Sequence, residues 1–110
     1  MTKGVLNRRQ LLVTSAVVLA NSTLVRAHSG TVHVTIENLA FLPVKVEVRV
    51  GETIEWSNKD VVGHTATVKG GWEVLIPPGT VATHIATAED TVDYFCRFHP
   101  NMKGQITVKA

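Results

Sequence analysis

Seven consecutive residues, Cys96-Arg97-Phe98-His99-Pro100-Asn101-Met102, carry a thiol, an imidazole and a thioether at three-residue intervals. The chain has one cysteine and two methionines in 110 residues, and the other methionine is Met1. Pro100 and Lys103-Gly104 are turn formers, so the segment reads as a tight loop that returns its three donors toward one point. A fourth donor must come from elsewhere in the chain. His64 follows the loop 58–63 and supplies it if its strand and the Cys96 strand finish at the same end of the fold.

Two imidazoles, one thiolate and a weak axial thioether are the donors of a type 1 copper centre. Zinc accepts the histidines and the cysteine, but a thioether is a poor zinc ligand and structural zinc sites are closed by four strong donors. Each residue also has an ordinary use: Cys96 as a small buried apolar group, Met102 as core filler, His99 in a surface turn. Taken together, with both sulfur residues bracketing a histidine, the metal reading is the better one. It also explains a lone thiol in an oxidising compartment, where a buried, metal-bound thiolate escapes oxidation.

The elements that must position these donors read as strands. Val32, Val34 and Ile36 alternate with His33 and Thr35, and Val44, Val46, Val48 and Val50 alternate with Lys45, Glu47 and Arg49. That period of two marks half-buried strands. Gly51-Glu52 turns the chain into 53–57, which carries Ile54 and Trp56. Further strands are expected at 64–68, 72–76, 81–86, 91–96 and 105–109, divided by Lys69-Gly70-Gly71, Pro77-Pro78-Gly79, Glu89-Asp90 and a loop over 97–104. On the 91–96 strand, alternation puts Val92, Tyr94 and Cys96 on one face. About eight short strands in some 80 residues predict an all-β Greek-key sandwich.

Residues 1–27 read as an export signal: Lys3, Arg8 and Arg9 precede the apolar run 11–20, and Val25-Arg26-Ala27 offers small residues for cleavage. The run is short for a membrane span of about 20 residues. Asn7-Arg8-Arg9-Gln10-Leu11-Leu12 resembles a twin-arginine signal with Asn and Leu at two positions where other residues are usual, so both that route and the general secretory one stay open. Residues 28–110 would then form a single periplasmic domain without a membrane anchor. The signal takes four of the eleven basic residues and none of the nine acidic ones, leaving seven against nine, a net charge of −2 in place of +2. Neither value suggests a nucleic-acid partner, and a single cysteine excludes an intramolecular disulfide framework.

The segment from Tyr94 to Gly104 resembles the ligand loop of the cupredoxins, and its Cys-x-x-His-x-x-Met spacing is that of the amicyanin branch. Val50-Gly51-Glu52-Thr53-Ile54-Glu55-Trp56-Ser57-Asn58, followed by His64, resembles the cupredoxin approach to the first histidine ligand. The resemblance implies a copper-binding β-sandwich holding one type 1 copper, a one-electron carrier with His64, Cys96 and His99 as equatorial ligands and Met102 as the axial one. It also implies a monomer whose redox partners, donor and acceptor, dock near His99, Phe98 and Pro100. Two positions depart from the pattern: Thr65 stands where many relatives have Asn, and Arg97 where Thr or Ser is common. Both bear on the hydrogen bonds around the cysteine sulfur.

Val61 and Val62 extend the expected apolar docking patch, and Arg97 and Lys103 beside it suggest a partner with an acidic rim. His33 and His84 read as solvated histidines on outward strand faces. His28 would become the N-terminus after cleavage, where its amine and imidazole chelate Cu(II). A copper chaperone or storage protein using the same ligands, with His28 and His33 as a second, weaker site, is therefore the alternative function. An oxidase or nitrite reductase needs a second copper centre, for which the sequence has no spare His-x-His pair.

Overall fold

The computed structural model describes residues 25–26 and 30–110. The strands are β1 (Val25–Arg26), β2 (Thr31–Glu37), β3 (Ala40–Leu42), β4 (Lys45–Arg49), β5 (Thr53–Asn58), β6 (His64–Thr67), β7 (Glu73–Ile76), β8 (Val81–Ile85), β9 (Val92–Cys96) and β10 (His99–Lys109). They form two sheets, β1-β4-β10-β9-β6-β7 and β3-β2-β5-β8. The molecule is an all-β sandwich, as the sequence predicts, and no helix occurs among the described residues. Apart from residues 25–26, which pair in parallel with Val46 and Glu47, the export-signal reading lies outside the described residues, as does His28.

The alternating positions do what their period requires. Val32, Val34 and Ile36 of β2 and Ile54 and Trp56 of β5 are buried and face Val46, Val48, Tyr94 and Ile106 of the other sheet in one core. The half-buried alternation expected over 44–50 does not hold: inside β4 Glu47 is buried along with Val46 and Val48, and Val44 and Val50 lie beyond its ends and are about half exposed. The aromatic centre is Trp56, Tyr94 and Phe41. The Tyr94 ring lies edge-on to Phe41 at 4.7 Å and to Trp56 at 5.7 Å, and Trp56 Nε1–H donates to Tyr94 Oη at 3.2 Å. Such edge contacts contribute about 0.5–1.5 kcal/mol each beyond area burial. Burial, opposed by the Trp56 hydrogen bond, pushes the Tyr94 hydroxyl well above the usual tyrosine range.

Two differences from the expected strands matter for the site. A short strand, β3, pairs back on β2 through the turn Glu37-Asn38-Leu39-Ala40, in which Asn38 and Leu39 both have positive φ, 54° and 59°. And β10 begins at His99, so the expected loop over 97–104 is mostly strand. Cys96 pairs with His99 across the two-residue turn Arg97-Phe98, and pairing then resumes at Phe95 with Lys103. Pro100, Asn101 and Met102 are therefore extruded from the ladder as a bulge, which bends the strand and re-aims its side chains.

Candidate metal centre

That bulge explains how one short segment delivers three donors. Uninterrupted register from Phe95–Lys103 would set Met102 opposite Cys96; the three extra residues put His99 there instead. Cys96 and Met102 both turn inward, at 0% and 4% exposure, while Phe95 and Lys103 point the other way. Cys96 Sγ lies 3.6 Å from His99 Nδ1.

His64 opens β6, which runs antiparallel beside β9 with Thr67 opposite Phe95. Continuing that register sets Thr65 opposite Arg97 and brings His64 to the same end of the sandwich as the Cys96 turn. His64 is fully buried and its Nδ1 is 3.6 Å from Cys96 Sγ. Donor atoms of His64, Cys96 and His99 lie within 4.8 Å of one another. The two imidazole rings are 5.0 Å apart, tilted by 56°.

This spacing fits a bound ion. Metal–nitrogen and metal–sulfur bonds of about 2.0 and 2.3 Å, meeting at roughly 110–120°, place nitrogen and sulfur about 3.5–3.7 Å apart. Both observed separations fall in that range. Met102 lines a shallow depression with Leu39, Phe98, His99, Pro100 and Asn101, next to the other donors. The sequence singled out all four residues, and the fold gathers them at one end.

Asp60, which nothing in the sequence marks, orients His64. Its Oδ2 accepts from His64 Nε2 at 2.8 Å, which leaves Nδ1 as the lone-pair donor facing Cys96. A carboxylate on the far nitrogen fixes a histidine ligand's tautomer and raises its basicity. The same carboxylate accepts the backbone N–H groups of Asn38 at 2.8 Å and Leu39 at 3.0 Å. One side chain thus holds both the buried His64 ring and the left-handed turn that brings Leu39 to the rim. The Leu39 hydrogen bond, against the cost of burial and with help from His64 and Asn38, keeps the Asp60 carboxyl below its ordinary value.

The loop between β5 and β6 is itself anchored from inside. Asn58, 1% exposed, donates through Nδ2 to the carbonyls of Val62 at 2.9 Å and Ile76 at 3.0 Å, and its Oδ1 accepts from Asp60 N–H at 2.9 Å. Its side chain satisfies backbone groups that β structure leaves over where the chain leaves one sheet for the other.

The two positions that depart from the cupredoxin pattern are bonded to each other. Thr65 N–H points at Cys96 Sγ at 3.4 Å, and Thr65 Oγ1 accepts from Arg97 N–H at 2.8 Å. The hydroxyl thereby ties β6 to the turn that follows the cysteine. Arg97 is not a free surface charge: its Nε and NH2 donate to the two Glu73 oxygens at 2.8 and 3.0 Å, and its guanidinium lies 4.8 Å from the Phe98 ring centre. The Arg97 guanidinium, with the Thr67 hydroxyl, holds the Glu73 carboxyl below the usual range.

The remaining histidines divide. His33 is exposed and pairs with Glu55 at 2.6 Å. His84 is not a solvated histidine: it stacks on Trp72 at 3.8 Å, and its Nε2 bonds Asp90 at 2.8 Å. Asp90 is 4% exposed and also accepts from Trp72 Nε1 and Thr87 N–H, both at 2.9 Å. Among the described residues, His64, Cys96 and His99 are the one group of three or more His, Cys, Asp and Glu side chains close enough to share a metal ion.

A model of the cupredoxin-like domain matches residues 10–108. Amicyanin from Paracoccus versutus is 31% identical over 89 residues, 74% of this chain and 67% of that protein. Amicyanin-alpha from Methylorubrum extorquens is 27% identical over 90 residues, 76% of each. The crystal structure of the Paracoccus versutus amicyanin superposes with a TM-score of 0.65 at 28% identity, covering 76% of this chain and 85% of that one. A copper-containing nitrite reductase from Thermus scotoductus superposes at 0.66 with 25% identity, over 80% of this chain but 28% of the enzyme. With the bulged ligand hairpin and the buried histidine beside it, these matches place the chain in the cupredoxin family, on its amicyanin branch.

Proposed function

We propose that this protein is a type 1 copper protein that carries single electrons between redox partners in the periplasm, exported by residues 1–27 and working as a monomer. The observation that carries the reading is the convergence of one buried thiol and two imidazole Nδ1 atoms, each 3.6 Å from the sulfur, with a buried thioether alongside. His64, Cys96, His99 and Met102 would hold the ion. Copper bound there supplies a one-electron couple between Cu(II) and Cu(I), which mixed nitrogen and sulfur donors accommodate in both states.

The chain's part is to hold the donors still and dry. Asp60 fixes the His64 ring, the two-residue turn fixes Cys96 against His99, and Thr65 N–H directs a hydrogen bond at the sulfur. His99 is half-buried, between exposed Phe98 and Pro100, and its outer edge is the route by which an electron leaves. Phe98 and Leu39, each about half exposed on that rim, suit a partner with an apolar contact face. The pairing of Arg97 with Glu73 removes one of the two charges that pointed to an acidic rim, leaving Lys103 alone.

Voltammetry of the copper-loaded protein tests the reading. A carrier cycles reversibly with its copper retained through many reductions. Release of copper on each reduction, with transfer to a metal-free acceptor, would replace electron transport by copper delivery.

A further inference from the structure

A closed circuit of hydrogen bonds runs from the metal loop to the edge strand β7 and back. Arg97 N–H donates to Thr65 Oγ1 at 2.8 Å. The Thr65 and Thr67 hydroxyls are 2.8 Å apart, Thr67 Oγ1 donates to Glu73 Oε1 at 2.9 Å, and the Arg97 guanidinium closes on both Glu73 oxygens. The direction of every link follows from its last member. An ionised carboxylate only accepts, so Thr67 must give its single proton to Glu73. Thr67 is left only as an acceptor toward Thr65, so Thr65 donates to it. The Thr65 oxygen is then free to accept the Arg97 amide, and bonds aligned in one direction strengthen one another.

Thr65 is where the circuit meets the site. It is fully buried, its amide points at Cys96 Sγ, and its hydroxyl holds the residue after the cysteine. Turning its hydroxyl away from Arg97 would free the turn Arg97-Phe98 that joins Cys96 to His99. Glu73, at the exposed start of β7, touches none of the four proposed ligands, yet it sets the orientation of that hydroxyl through one intervening side chain, Thr67. A lone exposed Arg–Glu pair contributes little; here the pair closes a ring around a buried hydroxyl, and its position bears on metal geometry rather than on overall stability.

We propose that Glu73 and Thr67 are positioning residues for the copper site: acting through Thr65 and Arg97, they hold the Cys96–His99 turn and the amide hydrogen bond to the cysteine sulfur. This rests on the copper reading above. Weakening the bond to sulfur leaves more electron density on the thiolate, which favours Cu(II) and lowers the potential.

The test uses Thr67→Val, which removes one relay hydroxyl while leaving the Glu73–Arg97 pair, together with Glu73→Ala and Glu73→Gln. In metal-free protein, amide exchange at Arg97 should accelerate about tenfold in Thr67→Val and Glu73→Ala, the size expected for one lost hydrogen bond to an aligned chain. Glu73→Gln, which still offers Thr67 a carbonyl oxygen, should recover most of the protection. In copper-loaded protein, the first two variants should both shift the thiolate-to-copper absorption, and Thr67→Val, which alters no charge, should lower the potential. Their double variant should add little, because both cut one circuit. Variants that leave Arg97 exchange, the absorption and the potential at wild-type values while moving only the melting temperature would overturn the proposal. A wild-type protein that takes up copper without colour would sink the copper reading, and the metal-free exchange would still decide whether Glu73 holds the turn.

Discussion

Replacing Asp60 with alanine removes a carboxylate on which three donors converge: His64 Nε2 at 2.8 Å, Asn38 N–H at 2.8 Å and Leu39 N–H at 3.0 Å. The three losses are unequal. The two amides sit in an exposed turn and regain water, costing about 0.5 kcal/mol each, whereas an orphaned polar group in the interior costs about 1–3 kcal/mol. His64 is fully buried, so its Nε2–H pays the larger penalty. Asp60→Ala should therefore lose roughly 2–4 kcal/mol in urea denaturation of the metal-free protein, or about 10–30 °C in Tm for a domain this small. Copper affinity should fall about 10- to 100-fold, as when a histidine ligand loses its orienting carboxylate. Asp60→Asn keeps one acceptor oxygen. Turned toward His64, it leaves only exposed Asn38 opposed by an NH2 group, and should cost about 0.5–1.5 kcal/mol. The carboxyl of folded Asp60 lies below the ordinary 3.8, so the unfolded chain takes up its proton first as acid is added. Its stabilising effect is complete at neutral pH and disappears as pH falls through the lowered folded value, a loss that Asp60→Ala should not show. Wild-type stability and copper affinity in Asp60→Ala would refute the assignment of His64 orientation to this residue.

Three further outcomes follow from the same geometry. Gly104 pairs with Tyr94 across β9 and β10, and a Cβ there would sit 2.6 Å from Tyr94 Oη; Gly104→Ala should cost about 1–3 kcal/mol of overpacking in chemical denaturation. At Asp90, burial opposes ionisation and is outweighed by the Thr87, His84 and Trp72 donors, so its carboxyl lies below the usual range; Asp90→Ala should destabilise at neutral pH and flatten the acid limb of the stability curve, measured by melting temperature against pH. Met102→Leu should change the stability of the metal-free protein by less than about 1.5 kcal/mol, since volume is kept, while raising the potential of the copper protein because the thioether that helps hold Cu(II) is gone.

The four proposed ligands were legible because their chemistry is local: three lie in seven residues, and the fourth opens a strand after a polar loop. The residues that orient them were not. Asp60 lies four positions before His64 but bonds a turn 21 and 22 positions away, and that turn exists only because β3 folds back on β2. Asn38-Leu39 carries no glycine to mark its left-handed backbone, so nothing in the sequence marks the turn into β3; the Asp60 carboxylate accepts from both of its amides. The length of β10 was hidden for a related reason. Pro100, Asn101 and Gly104 are loop formers by type, yet a bulge lets the strand carry the first two, and Gly104 pairs with Tyr94 in the ladder. Arg97 reads as a solvent charge because Glu73, its partner, lies 24 positions away on β7. His84 likewise reads as exposed by alternation, but β8 is an edge strand and Trp72 covers that face.

Whether Cys96 and the histidines bind copper as one centre is read out by adding Cu(II) to the metal-free protein. An intense blue thiolate-to-Cu(II) absorption that saturates at one copper per chain and is abolished by Cys96→Ala is the predicted result. Colourless uptake of copper, or colour that survives loss of Cys96, would show that these residues do not form such a centre.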